Sequence, residues 1–401
     1  MTQTLAASAL ASLPPVALID RKAFADALTR VSKVVERRNT IPILSNVRLA
    51  GAGESLIVEG CDLDIWSRVT VPAAADSRFA ATVPAHMLRD VVKKASSEYV
   101  EASAADSFFG LDFEGAKTSL QTLPVADWPT VENYAASAWR PAVATFTMPT
   151  ATLRRMFQAC EMAISTEETR YYLNGIFVHA TKDEFGAPII RAVATDGHRL
   201  MRASIPVPAG AEGLAGIIIP RKTVALLLAE MKRKGAPQSV EIQAGETWIS
   251  FKIGNAELRS KLVDGTFPDY MRVIPQEFQR VACVESDKLS AMVTAVSTIS
   301  SERGRAVKLH FEPVDDCAAL LEASVNNPDS GSASQCIDCE MTGAGIEIGF
   351  HAGYLLDIVE SIGADRLAVK MGDAGSPTRF EPAPAVGDGV DLLAVLMPMR
   401  V

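Results

Sequence analysis

One apolar spacing recurs along the whole chain, and it limits the fold more than any other feature of the sequence. Apolar residues at positions 0, +3, +4 and +7 make the stripe of a half-buried helix. Phe24, Ala27, Leu28 and Val31 have that spacing. Leu153, Met156, Phe157 and Cys160 repeat it, and so do Leu289, Met292, Val293 and Val296. A second helix follows each of these: Leu88, Val91, Val92 and Ala95; Val224, Leu227, Leu228 and Met231; Leu355, Ile358, Val359 and Ile362. Pro84 and Pro220 stand at or near the first turn of two of them, where a missing N–H costs nothing. A pattern that returns after a little over a hundred residues means one structural unit used three times.

Short alternating runs fall between and after these helices and read as strands. They are Asn46 to Leu49, Leu56 to Val58, Ile65 to Val71, Gly175 to His179, Ile189 to Ala194, Leu200 to Ile205, Val307 to Phe311 and Ile346 to Phe350. The units also end alike: LQTLPVADWP from Leu120 resembles LRSKLVDGTFP from Leu258, and the third copy stops at LAVLMPMRV. The expected domains are 16–138, 141–276 and 279–401, each an α+β unit with two helices packed on antiparallel sheet. Two segments read as surface loops by composition, Asn326 to Ser332 and Glu381 to Gly389.

The 401 residues carry a net charge of -9, with 48% hydrophobic and 22% charged residues. That describes an ordinary globular chain and excludes a wholly basic nucleic-acid binder, though not a locally basic face. Such a face is expected on the wet side of the helices, from Arg30, Lys33, Arg37, Arg89, Lys93 and Lys94 in the first unit. The second unit adds Arg154, Arg155, Arg221, Lys222, Lys232, Arg233 and Lys234, and the third adds Lys288, Arg303, Arg305 and Lys308. Six scattered cysteines suit a reducing cytoplasm. Cys336 and Cys339 have metal-like spacing, but an alternating strand puts them on opposite faces, and no second ligand pair accompanies them. No apolar run approaches the roughly 20 residues that span a bilayer. The Ala- and Ser-rich stretch Met1 to Pro15 lacks the basic start of a signal peptide and reads as a frayed extension.

The stretch Ala194-Thr195-Asp196-Gly197-His198-Arg199-Leu200 holds the densest candidate chemistry. Asp196 and His198 could form an acid/base pair. A strand that turns at Asp-Gly and returns as another strand needs the same letters. No phosphate loop, HExxH metal motif or nucleophile-base set accompanies the pair, so a non-enzymatic reading is preferred, with no cofactor and no metal.

Five segments carry a family resemblance: RNTIPILSN from Arg38, RYYLNG from Arg170, VATDGHRL from Val193, KLVDGTFPDYMRVIP from Lys261, and MPMR from Met397. Together they resemble the bacterial DNA polymerase III beta subunit, the sliding clamp, in the family's order and in all three units. The resemblance implies three clamp domains per chain and a head-to-tail homodimer closed into a ring, with helices lining the hole. Diffuse attraction to the phosphates of duplex DNA would let such a ring slide.

The resemblance also implies site residues. A peptide groove would be built from Leu173, Thr195, Gly197, His198, Arg199, Leu200, Pro268, Arg272, Val273, Tyr354, Val395, Leu396, Met397, Pro398, Met399 and Arg400. Its partners would be short linear motifs of the replicative polymerase alpha subunit, the clamp loader, repair polymerases and mismatch-repair proteins. Arg38, Tyr171, Tyr172 and Arg221 match DNA-contacting positions, and Leu120 and Ile299 match the protomer interface. Gly304, Pro377 and Glu167 depart from residues found in relatives. Three alternatives stand beside this reading: a scaffold that binds partners without encircling DNA, a diverged second clamp copy, and an enzyme using Asp196 and His198.

Overall fold

A computed structural model describes residues 15–105, 107–130, 141–299, 306–327 and 331–400. Gly304, Arg303, Arg305 and most of the N-terminal extension lie outside the described residues. All six apolar stripes fall on helices, although Ala95 of the second lies just past its helix with extended backbone: α1 (Arg21–Val31), α2 (Ala85–Lys94), α3 (Thr150–Glu161), α4 (Arg221–Met231), α5 (Ser286–Ser297) and α6 (Ala352–Ile362). The four stripe residues of α1, α3, α4, α5 and α6 are buried, as are Leu88 and Val92 of α2. Burying each large side chain contributes about 1.5–3 kcal/mol.

Each repeat is itself doubled, with the order strand, helix, three strands, twice over. The first holds β1 (Ala17–Asp20), α1, β2 (Asn46–Gly51), β3 (Gly53–Cys61), β4 (Ile65–Ala75), then β5 (Ala80–Pro84), α2, β6 (Tyr99–Ala105), β7 (Phe108–Phe113) and β8 (Ala116–Gln121). The second has β9 (Ala144–Pro149), α3, β10 (Gly175–Lys182), β11 (Pro188–Thr195), β12 (Arg199–Pro206), then β13 (Ile217–Pro220), α4, β14 (Ser239–Ala244), β15 (Trp248–Ile253) and β16 (Ala256–Lys261). The third has β17 (Arg280–Glu285), α5, β18 (Ala306–Pro313), β19 (Ala318–Asn327), β20 (Gly331–Thr342), then β21 (Ile346–His351), α6, β22 (Arg366–Met371), β23 (Thr378–Pro382) and β24 (Asp391–Leu396).

The strand before each helix is not among the strands read from sequence, except β21, because it runs into the helix with no loop to mark it. The last strand residue serves as the helix N-cap. Asp20 accepts from the Ala23 N–H at 2.7 Å, and His351 Nδ1 from the Tyr354 N–H at 3.2 Å. Pro84 likewise sits at the cap of α2, one position earlier than the favoured first-turn site.

The described chain divides into two compact units, residues 1–147 with 229–262, and 148–228 with 263–401. In the first, a sheet runs β8-β7-β6-β1-β4-β16-β15-β14-β9, with β3, β2 and β5 continuing from β4. In the second, the order is β13-β10-β11-β12-β24-β23-β22-β17-β20-β19-β18-β21. The strands of the middle repeat are thus shared out: β16 pairs with β4, and β12 pairs with β24.

Three expectations need correction. α1 ends at Val31, so Lys33 and Arg37 follow the helix instead of continuing its face. Arg30 is buried and held by Glu230 at 2.8 Å and by Asn255 at 3.1 Å, which removes it from the wet basic face. Several other basic residues are also paired: Arg233 with Asp26 at 2.6 Å, Arg155 with Asp388 at 3.0 Å, and Lys288 with Glu285 at 2.9 Å. Finally, of the Asn326 to Ser332 segment read as a loop, Asn326, Asn327, Gly331 and Ser332 belong to the paired β19 and β20, with Asn327 opposite Gly331; residues 328–330 lie outside the described residues. Cys336 and Cys339 lie on β20, three residues apart and so on opposite faces. No group of three or more His, Cys, Asp or Glu fit to hold a metal occurs among the described residues.

Candidate partner-binding groove

The second unit brings the motif segments together on the outer face of its sheet. α3 packs on β11 and β12 from one side, where Cys160 Sγ approaches the Ala192 carbonyl at 3.5 Å. The alternate residues therefore face the other way. On that outer face Leu173, Val193, Leu200, Ile218, Phe267, Tyr270, Ile274, Leu393 and Val395 form one buried cluster, with Tyr172, Phe177 and Val263 against it. Phe177 and Phe267 stack with centroids 4.8 Å apart. Phe267 and Tyr270 are additions to the inferred site. In the sequence they are only letters inside KLVDGTFPDYMRVIP, where nothing in their spacing shows that the segment folds back over the sheet.

Leu173, Leu200 and Val395 are buried and make the floor, not the contact surface, while Leu396, next along β24, is buried on the opposite face of the sheet. The surface belongs to Met271, Val273, Met397 and Met399, apolar side chains left exposed, together with Pro268, Arg272 and Arg400. Exposed Met and Val side chains over an apolar layer suit an adaptable apolar partner. Arg272 is mostly solvent-exposed and pairs with Asp269 at 3.0 Å.

The 195–199 turn is built around Asp196. Its Oδ1 accepts from the His198 and Arg199 N–H groups at 2.9 and 3.0 Å, and its Oδ2 from Arg199 Nε at 3.1 Å. Gly197 takes φ +90°, and a Cβ there would lie 3.0 Å from Arg170 Nη1. Thr195 Oγ1 donates to the Arg199 carbonyl at 2.8 Å and accepts from the Gly197 N–H at 3.2 Å. Both Asp196 oxygens are thus committed to the turn.

Arg199 reaches across to the third repeat. It bonds Asp357 at 2.5 Å, and its guanidinium lies 4.3 Å from the Tyr354 ring centroid. Tyr354 also stacks on His351 at 4.2 Å and on His198 at 6.0 Å. Asp357 has no signal in the sequence, because only the fold brings α6 to the turn. The chain end completes the site: Met397 N–H donates to the His198 carbonyl at 2.9 Å, and Met399 N–H to the Gly349 carbonyl at 2.8 Å. Pro377 sits half-buried before β23.

His179 lies at the edge of the apolar cluster, its Nε2 3.0 Å from the Tyr270 hydroxyl. Burial, with the nearby Arg191, holds its pKa below the usual histidine value. The folded state therefore favours neutral imidazole, and that contribution is present above the unfolded pKa of about 6.5 and lost as pH falls through the lower folded value. Thermal melts between pH 7 and 5 should show a smaller loss of stability in His179→Gln than in the unmodified chain.

The remaining inferred residues sit elsewhere. Tyr171 is exposed and Tyr172 half-buried, their rings edge-on at 5.8 Å. Arg221 is exposed at the start of α4, with its N–H on the Asn174 carbonyl at 2.9 Å. Arg38 is exposed in the segment after α1. Glu167 pairs with Arg170 at 3.1 Å.

Comparison with known proteins identifies the family. Profiles of the DNA polymerase III beta subunit match along the chain: the N-terminal domain at residues 17–132, the central domain at 147–269 and the C-terminal domain at 271–400. The beta sliding clamp of Caulobacter vibrioides is 39% identical over 394 residues, covering 96% of this chain and 99% of that one. The beta sliding clamp of Pseudomonas aeruginosa is 32% identical over 389 residues, with the same coverage of both chains. A crystal structure of the DnaN sliding clamp from Bartonella birtlesii bound to griselimycin superposes with a TM-score of 0.87 at 38% identity, covering 97% of this chain and 100% of that one. With three domain profiles in order and full-length relatives above 30% identity, the chain belongs to the DNA polymerase III beta-subunit family, the beta sliding clamps.

Proposed function

We propose that this chain works as a head-to-tail homodimeric ring that encircles duplex DNA and tethers a polymerase through the groove, with no catalytic site of its own. The observation that carries the dimer is the strand pairing between repeats. β4 and β12 are equivalent strands, and each uses its N-terminal part to accept the last strand of the following repeat: Ile65–Val69 takes β16, and Arg199–Ser204 takes β24. β20 is the third such strand. It pairs with β17 at 340–342, and among the described residues 331–339 have no strand on that side. β8, the last strand of the first repeat, ends its sheet. A free β8 on one protomer and a free β20 half on another make a complementary pair. Leu120 enters this reading through the backbone of β8, as its side chain is in the first repeat's core. Ile299 follows α5, its carbonyl held by Asn327 Nδ2 at 2.9 Å.

The proposed domains are 16–138, 141–276 and 279–401, and the proposed setting is the cytoplasm; no described helix is long and apolar enough to cross a membrane. DNA contact is assigned to exposed cations, Arg38 and Arg221 among them, acting on phosphates without regard to sequence. The groove partners are apolar linear motifs of the replicative polymerase, clamp loader, repair polymerases and mismatch-repair proteins.

Processive synthesis by a cognate polymerase on primed circular DNA, with and without this protein, tests the whole reading. Product length that does not change would overturn it. Charge reversal of Arg38 and Arg221 should shorten retention on DNA and lower the log–log salt slope by about 0.9 for each phosphate that is no longer neutralised. A scaffold that never encircles DNA would instead be a monomer by light scattering.

A further inference from the structure

The outer face that carries the groove floor continues into a second chemistry. Val193, Leu200, Leu393 and Val395 belong to the apolar cluster. The register pairs Val193 with Arg202, Arg202 with Leu393, and Leu200 with Val395. Side chains alternate faces along a strand, so the next residues on the same face are Arg191, Ser204 and Asp391. Ser204 is paired with both Arg191 and Asp391.

Arg191 and Arg202 are each 7% exposed. Arg202 Nη2 donates to Asp391 Oδ2 at 2.9 Å, but that carboxylate is two-thirds exposed. Arg191 donates from Nη1 to the Met271 thioether sulfur at 3.6 Å, a weak acceptor. The Nε atoms of both arginines and the Ser204 Oγ are buried without a hydrogen-bond partner. Two guanidinium charges thus face one carboxylate that leans into solvent, which leaves a buried positive charge uncompensated. The neighbours do not relieve it. Arg379 and Lys370 share Glu381, and His179, opposite Arg191 on β10, is held toward the neutral form. Burial pulls the Arg202 pKa down, and Arg191 and Arg379 add to this against Asp391.

We propose that Arg191, Arg202 and Ser204 form an oxyanion subsite that receives the carboxylate of an Asp or Glu in a partner segment seated in the groove. The proposal rests on the groove reading above. A carboxylate between two guanidinium groups makes charge-assisted hydrogen bonds, and a serine hydroxyl can complete its shell. The step from Leu200 to Arg202 is two residues of one strand, about 7 Å. An extended partner covers the same distance in two residues, so the acid belongs two positions from the apolar anchor.

The test uses the full chain and labelled synthetic peptides followed by fluorescence anisotropy. Each peptide carries a Leu-Phe anchor with Glu or Gln two residues away, on either side. The Glu peptide is expected to bind about tenfold tighter than its Gln twin in one placement. That advantage should vanish in Arg191→Gln and Arg202→Gln, while both variants keep the affinity of the Gln peptide. Equal binding of the Glu and Gln peptides to the unmodified protein would overturn the proposal, whether or not the variants fold. If neither peptide binds, the groove reading falls and takes the subsite with it. If inorganic phosphate at matched ionic strength raises the melting temperature while the Glu and Gln peptides bind alike, the site serves a free anion, and the proposal is equally overturned.

Discussion

Removing Met397 and everything after it is expected to weaken binding of an apolar partner peptide at least ~100-fold while the homodimer keeps its mass. The truncation begins just past β24, which ends at Leu396, so the sheet and its pairing with β12 survive. What disappears is the exposed pair Met397 and Met399, with the two backbone bonds that anchor them to His198 and Gly349. Two large apolar side chains buried by a partner contribute about 1.5–3 kcal/mol each. Their sum is two or more factors of ten in affinity. Anisotropy titrations read the affinity, and light scattering reads the dimer. An unchanged affinity would remove these residues from the groove, and a monomer would place the tail in ring closure.

Gly175→Val is expected to cost several kcal/mol of stability, the largest effect of any single substitution considered. Gly175 begins β10, and a Cβ at this position would lie 2.2 Å from the Ile219 carbonyl oxygen and 3.1 Å from Ile218 Cγ2. The first of these is backbone, paired with β10 through Gly175–Pro220 and Ile176–Ile219, so it cannot rotate away as a side chain would. The strands must separate, and Ile218 leaves the apolar cluster under the groove. Overpacking that displaces backbone costs about 1–3 kcal/mol or more, and the broken strand pairing adds to it. Chemical denaturation monitored by circular dichroism should show the midpoint falling sharply. A variant as stable as the parent would mean that β10 and β13 can move apart at this end without cost.

The periodic parts of the fold are legible in the sequence because their signal is local. A stripe such as Phe24, Ala27, Leu28 and Val31 needs only its own helix and one apolar face to declare itself, and all six stripes do so. The same holds for β11, an apolar run of length typical for a strand. The strands that run straight into helices are less visible, since β1, β9 and β17 end without a turn. Arg30 misleads for a related reason. Its spacing puts it in line with Lys33 and Arg37, but a helical wheel carries no information about Glu230, two hundred residues away, which holds it.

For the site, the letters ATDGHRL already hold the turn, because an Asp that caps its own backbone and a Gly at positive φ are choices made within a few residues. The sequence by itself thus determined the repeat, the helix faces and the tight turn at Asp196. Only the tertiary structure decided that Arg199 meets Asp357 and Tyr354, that Phe267 and Tyr270 roof the floor, and that Arg191 and Arg202 are buried side by side. Those pairings depend on which strands share an edge, and strand order is set by contacts between residues far apart in the chain, which leave no periodic trace in any single segment.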